Sequence, residues 1–290
     1  MTLRRVELFA AVMAVVLAVA VQAAPPADAA SHCAPRGAKN KFGQVCRPDA
    51  VGVLWWGSPY RVFLYGDSLS FESAPYVQKA VTASGRAIFT NRSFPGTSPC
   101  DWFAAMDRDR APYVPDAVIV TPFGNNLSAC EIQDGVRPKY GSAGYWQMYK
   151  GMLTAVVNRY RRPTLVVLAA APVARNDLAY GRGASQKGQM LALLREVASG
   201  HPNVVVVDAG AAVEGADRRY VRSLPCLPSE PCPNSPKLGR AVVRAQDGVH
   251  LCPSIFTATI AMLGNCPVYS SGAWRLGTAQ AAPVVQALGL

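Results

Sequence analysis

The sequence predicts an α/β domain of three layers, α/β/α, on a doubly wound, five-stranded parallel sheet of the flavodoxin-like kind. Three observations carry this. Five short apolar runs, rich in β-branched residues, alternate with stretches of helical periodicity. The runs are apolar almost without interruption, which suits strands covered on both faces. Half of the 290 residues are hydrophobic and only 16% are charged, so the chain can fill a core.

The elements follow in order. Residues 1–30 read as a secretory signal. Arg4 and Arg5 open it, Leu8 to Val21 ("LFAAVMAVVLAVAV") form an apolar run short for a bilayer span, and "ADAA" offers small residues for cleavage after Ala29 or Ala30. An uncleaved anchor is the alternative. "ASH" before Cys33 does not fit a lipidated cysteine. Residues 31–59 form an irregular lead whose apolar patch, "VLWWG", is expected to pack Trp55 or Trp56 on the domain edge.

The domain proper runs over 60–266. Its expected strands are Arg61–Tyr65, Ala87–Thr90, Ala117–Thr121, Thr164–Ala169 and Val204–Asp208, and its expected helices are Phe71–Ser84, Asp101–Asp107, Ala143–Tyr160 and Ser185–Ser199. A βα rhythm of this kind calls for right-handed crossovers and a parallel sheet. Arg182 and Lys187, in "YGRGASQKG", read as solvated cations on a loop rimming the site. The connection from Gly210 to Gln246 is too rich in proline for a central strand and leads into Asp247 as a wall of the cleft. Residues 267–290 read as a loosely ordered C-terminal tail on the surface.

The formal net charge is +11. It favours anionic neighbours and allows peripheral contact with an acidic cell envelope. Scattered basic residues and export argue against nucleic acid. Eight cysteines, an even number in an exported chain, read as four disulfides. Sequence does not fix their pairing; joining neighbours is simplest: Cys33 with Cys46, Cys100 with Cys130, Cys226 with Cys232, and Cys252 with Cys266. Zinc is disfavoured, because C-x-x-C spacing is missing and the histidines stand elsewhere.

In such sheets chemistry gathers outside the carboxyl ends of the strands. Four segments reach that edge: "GDSL" at 66–69, "NRSFPGTSPC" with Gly96, "TPFGNNLSAC" with Gly124, Asn125 and Asn126, and "AQDGVHLCPS" with Asp247 and His250. Ser68 at a strand-to-helix corner suits a nucleophile, since a helix N-terminus favours developing negative charge. Asp and Ser are also ordinary helix caps, so this stretch alone does not decide. His250 is the one histidine of three with an acid three residues before it. It can take the serine proton while Asp247 holds its tautomer. The backbone N–H groups of Ser68 and Gly96 and the amide of Asn126 are candidate oxyanion donors.

Together, in this order, the four blocks resemble the signature of the SGNH (GDSL-type) hydrolase superfamily, in an exported bacterial member. The resemblance covers residues 61 to about 265. It implies Ser68 as nucleophile, Asp247 and His250 as its triad partners, Ser68, Gly96 and Asn126 as the oxyanion hole, and neither metal nor cofactor. Leu127 stands where the family pattern has Asp. Spacing from Gly124 favours Asn126 over Asn125.

The implied activity is that of a secreted serine esterase or acylhydrolase working through an acyl-enzyme on a small-molecule, glycan or lipid ester. Two alternatives stay open: an O-acyltransferase that hands the acyl group to an envelope glycan, and a non-catalytic envelope-binding domain. Acyl length, alcohol and oligomeric state are not written in the sequence. The absence of a G-x-S-x-G elbow and of a phosphate loop disfavours the α/β-hydrolase fold and nucleotide binding.

Overall fold

The computed structural model describes residues 36–39, 43–48, 54–111, 114–175, 184–230, 239–252, 266 and 270–290. Residues 1–30, read as a signal, lie outside this set. The chain divides into two units, residues 1–58 and 59–290.

In the first unit, strands β1 (Val45–Pro48) and β2 (Leu54–Gly57) pair antiparallel, with Cys46 opposite Trp56 and Arg47 opposite Trp55. The expected packing of Trp55 or Trp56 concerns side chains outside the described residues.

The second unit opens with β3 (Tyr60–Gly66), helix α1 (Ser68–Thr82) and β4 (Ala87–Asn91). Then come α2 (Phe103–Arg110), β5 (Ala117–Thr121), α3 (Ala143–Arg159), β6 (Leu165–Ala169), α4 (Ala184–Ala198) and β7 (Val204–Val207). All five strands are parallel, in the order β4-β3-β5-β6-β7. This is the doubly wound arrangement expected from the sequence. The chain turns back on itself at β3, so the crevice lies where β3, β4 and β5 end.

Both faces of the sheet are buried, as its apolar runs require. Phe63, Tyr65, Val118, Val120, Val166 and Leu168 join a core with residues of α2, α3 and α4. Their alternating neighbours Val62, Leu64, Ile119 and Val167 are buried too. Helix α3 starts as its sequence predicts, with the Ser142 hydroxyl accepting the Tyr145 N–H at 3.2 Å.

The proline-rich connection carries a small antiparallel ribbon, β8 (Ser223–Pro225) with β9 (Arg240–Val242), separate from the main sheet.

The C-terminal segment departs from expectation. Residues 272–288 are not a loose tail but helix α5 (Gly272–Leu288), packed against α1. Ala273, Leu276, Ala281 and Val284 are fully buried. Gly277 explains the close approach: a Cβ there would lie 2.7 Å from the Ser73 carbonyl oxygen and 2.8 Å from the Tyr76 Cβ. Gln280, wholly buried, accepts the Ser73 hydroxyl at 2.7 Å and donates to the Thr121 hydroxyl at 2.8 Å. Helix α5 thus supplies part of the layer that covers the sheet. No helix among the described residues is long and apolar enough to cross a membrane.

Candidate active site

The corner between β3 and α1 is held by Asp67. One carboxylate oxygen accepts the Leu69 N–H at 3.1 Å, and the other reaches across to the Phe123 N–H at 2.9 Å, just beyond β5. Asp67 is therefore the N-cap of α1, and Ser68 is the first residue of the helix. This separates the two roles that the sequence left entangled. The Ser68 hydroxyl is not spent on capping, and it has no hydrogen-bond partner among the described residues. The chain must turn tightly here: a Cβ on Gly66 would lie 2.1 Å from the Ser70 hydroxyl and 3.2 Å from the Thr121 carbonyl.

Asp247 and His250 sit on one turn. Asp247 Oδ1 accepts the N–H groups of Val249 (2.9 Å) and His250 (3.0 Å), while Oδ2 lies 2.5 Å from His250 Nδ1. Burial pushes the Asp247 carboxyl up, but the bonds from His250 and the Val249 N–H outweigh it and hold its pKa below the usual value. Burial disfavours the His250 cation. The hydrogen bond to Asp247 and the charges of Glu72, Asp247 and Asp67 outweigh that, so its pKa lies above the ordinary 6.5. The turn is tied to α1, because the Leu251 N–H donates to Glu72 Oε2 at 2.9 Å and Glu72 stands one turn after Ser68 on that helix. From behind, the wholly buried Arg244 donates to the carbonyls of Val249 (2.6 Å) and Val173 (2.8 Å). Burial pulls its pKa down to about 10.

The two loops expected to carry the oxyanion donors are laced together. Ser98 Oγ donates to Glu131 Oε1 (2.7 Å) and meets the Asn125 carbonyl at 3.1 Å, while the Tyr149 hydroxyl donates to that carbonyl at 2.6 Å. Ser128 Oγ donates to Asp101 at 2.6 Å, and a disulfide joins Cys100 to Cys130. Gly96 stands in a turn with φ +78°, and its N–H has no hydrogen-bond partner among the described residues. Asn125 donates from its amide to the Thr97 carbonyl at 3.1 Å, and Asn126 donates to the Pro138 carbonyl at 2.9 Å. One N–H of the Asn126 amide is thus left over, and its buried Oδ1 has no partner among the described residues.

A second disulfide joins Cys252 to Cys266, two residues beyond His250. Cys46 and Cys226 are disulfide-bonded as well; Cys33 and Cys232, their expected partners, lie outside the described residues. Among the described residues, one cluster gathers metal-ligating side chains: Cys100, Asp101 and Cys130. Both of its sulfurs are committed to the disulfide.

Residues 61–254 match the family described as a protein of unknown function, DUF459. The chain belongs to the DUF459 family. No curated protein matches it. Among solved structures, this DUF459 chain is similar to an acetylxylan esterase from Geobacillus stearothermophilus, with 17% identity over 81% of this chain and 96% of that one, at a TM-score of 0.48. It is similar to LAE5, an α/β hydrolase from the metagenome of Lake Arreo, with 15% identity, 80% and 96% coverage and a TM-score of 0.49. It is also similar to a lipase/acylhydrolase from Enterococcus faecalis, with 17% identity, 56% and 86% coverage and a TM-score of 0.39.

Two features of this DUF459 site were not read from the sequence. Glu72 and Arg244, which hold the Asp247–His250 turn from either side, belong to no motif; a lone acid between Phe71 and Ser73 was the one available hint. Lys187 corrects an expectation. It is not a solvated rim cation but is nearly buried, with Nζ 2.6 Å from both Asp208 Oδ1 and Glu214 Oε1. Glu214 is wholly enclosed at its carboxylate, and a buried carboxylate requires a cation beside it. Arg182 lies outside the described residues.

Proposed function

We propose that this chain is a serine esterase, exported by its N-terminal signal, that cleaves carboxylic esters through an acyl-enzyme. Ser68 Oγ attacks the ester carbonyl and gives its proton to His250 Nε2. The N–H groups of Ser68 and Gly96 and the free N–H of Asn126 receive the charge that develops on the carbonyl oxygen. As the tetrahedral intermediate collapses, the C–O bond to the alcohol breaks and His250 returns the proton to the leaving oxygen. Water, deprotonated by His250, then attacks the acyl carbonyl, and the acid departs as Ser68 recovers its proton. Asp247 keeps a proton on Nδ1, so that Nε2 is the basic nitrogen, and its charge stabilises the imidazolium.

The observation that carries this reading is the Asp247–His250 pair, bonded at 2.5 Å and tied through Leu251 and Glu72 to the helix that begins with an unspent Ser68 hydroxyl. Expected is covalent labelling of Ser68 by a fluorophosphonate, lost in Ser68→Ala and strongly slowed in His250→Ala, with ester turnover lost in parallel. Turnover by a folded Ser68→Ala protein, or labelling at another serine, refutes it.

A further inference from the structure

Two large, mostly exposed apolar side chains stand on the loops that follow β4 and β5. Phe94 is 66% exposed and Leu127 is 64% exposed. Single exposed apolar residues are ordinary on a protein surface. These two differ in being held in place on the loops that carry the oxyanion donors. The Phe94 N–H donates to the Gly66 carbonyl at 3.0 Å, two residues before Ser68, and its own carbonyl accepts the Thr97 hydroxyl at 2.7 Å. Gly96 lies two residues on. Leu127 directly follows Asn126, whose amide is fixed to Pro138, and precedes Ser128, which is bonded to Asp101. Bonds between Asn125 and the segment Thr97–Ser98, with the Cys100–Cys130 bridge, hold the two loops together.

The resting protein gains no core packing from these side chains, yet fixes the backbone beneath each. We propose that Phe94 and Leu127 form the apolar seat for the acyl chain, and that the preferred substrates are esters of medium-chain fatty acids rather than acetate. This rests on the serine esterase reading above. The assignment to the acyl side follows from that chemistry. The leaving oxygen must face His250 to receive its proton, and His250 stands on a different loop. The loops that cradle the carbonyl oxygen border the remaining substituent, which is the acyl chain. An aspartate in place of Leu127 would set a charge there; leucine offers the chain an apolar surface.

The experiment compares kcat/KM for nitrophenyl octanoate and nitrophenyl acetate in the wild type, Phe94→Ser, Leu127→Ser and Phe94→Leu, with fluorophosphonate labelling of Ser68 run in parallel. The wild type is expected to prefer octanoate. Each serine variant should lower the octanoate-to-acetate ratio by about tenfold, since apolar area covered by the chain is lost, and Phe94→Leu should restore most of it. Labelled Ser68 together with a wild-type preference for acetate, or with a ratio unmoved in both serine variants, overturns the acyl seat and leaves the esterase reading standing. No labelling and no turnover in the wild type overturns both.

Discussion

Replacing Gln280 by leucine tests whether helix α5 is part of the working fold. The side chain is wholly buried and bridges three elements: it accepts from Ser73 on α1, donates to Thr121 at the end of β5, and belongs to α5. Leucine fills a similar volume but can neither accept nor donate. Ser73 keeps an alternative, because its hydroxyl can donate to the Ser70 carbonyl at 3.3 Å. The Thr121 hydroxyl loses the donor it has here. A buried polar group left unpaired costs about 1–3 kcal/mol, and one full loss plus one partial loss gives about 3 kcal/mol. For a domain of this size that lowers Tm by about 6–12 °C. Thermal denaturation followed by circular dichroism, with urea unfolding as a check, measures it. A Tm within about 2 °C of the wild type, below the effect of one such loss, would refute the argument, because it would mean that water reaches these hydroxyls and that α5 does not seal this part of the core.

The pH–rate profile should rise as His250 loses its proton, with its midpoint above 6.5. Glu72→Gln keeps an acceptor for the Leu251 N–H but removes a charge that favours the imidazolium, so the limb should move to lower pH; no movement, or movement upward, counts against the placement of Glu72. The same pair governs stability in two opposite senses. The raised His250 pKa gives stability that is present below its unfolded pKa and lost as pH rises through the raised value, and the lowered Asp247 pKa gives stability that is lost as pH falls through it; urea midpoints measured across acid and neutral pH should therefore fall at both ends. Cys100→Ser with Cys130→Ser should cost about 2–4 kcal/mol in urea unfolding and should lower kcat more than it raises KM, because the bridge ties together the two loops proposed to carry oxyanion donors; a double variant with unchanged kcat at a temperature where it stays folded would limit the bridge to stability.

What the sequence disclosed and what it withheld have separate physical causes. Val118–Val120 and Val166–Val167 announce buried parallel strands because β-branched runs of that length have few other uses. The four loop segments stand out in the sequence because a parallel sheet brings the segments that follow its strands to one edge. Helix α5 stayed hidden because its buried face mixes small residues with the polar Arg275 and Gln280, which breaks the apolar periodicity of an ordinary core helix. Gly272, Gly277 and Pro283 resemble loop punctuation, yet Gly277 is what lets α5 lie against the backbone of α1. The buried place of Lys187 is not legible in sequence, because nothing local marks Asp208 and Glu214 as its partners. Such networks as Ser98–Glu131–Tyr149 and Arg244 with its carbonyls form between segments far apart in sequence, where no short-range pattern records them.

The far end of α5 has a practical meaning. The Arg86 side chain donates to the Gly289 carbonyl, and Arg86 stands immediately before β4, at the amino edge of the sheet. Ser68, Gly96 and Asn126 follow the carboxyl ends of their strands, at the opposite edge. Anything joined after Leu290 therefore emerges on the side away from the candidate site. A purification handle, a fluorescent reporter or a surface tether attached there would leave the edge that carries Ser68 open, so an immobilised preparation would present the candidate site outward.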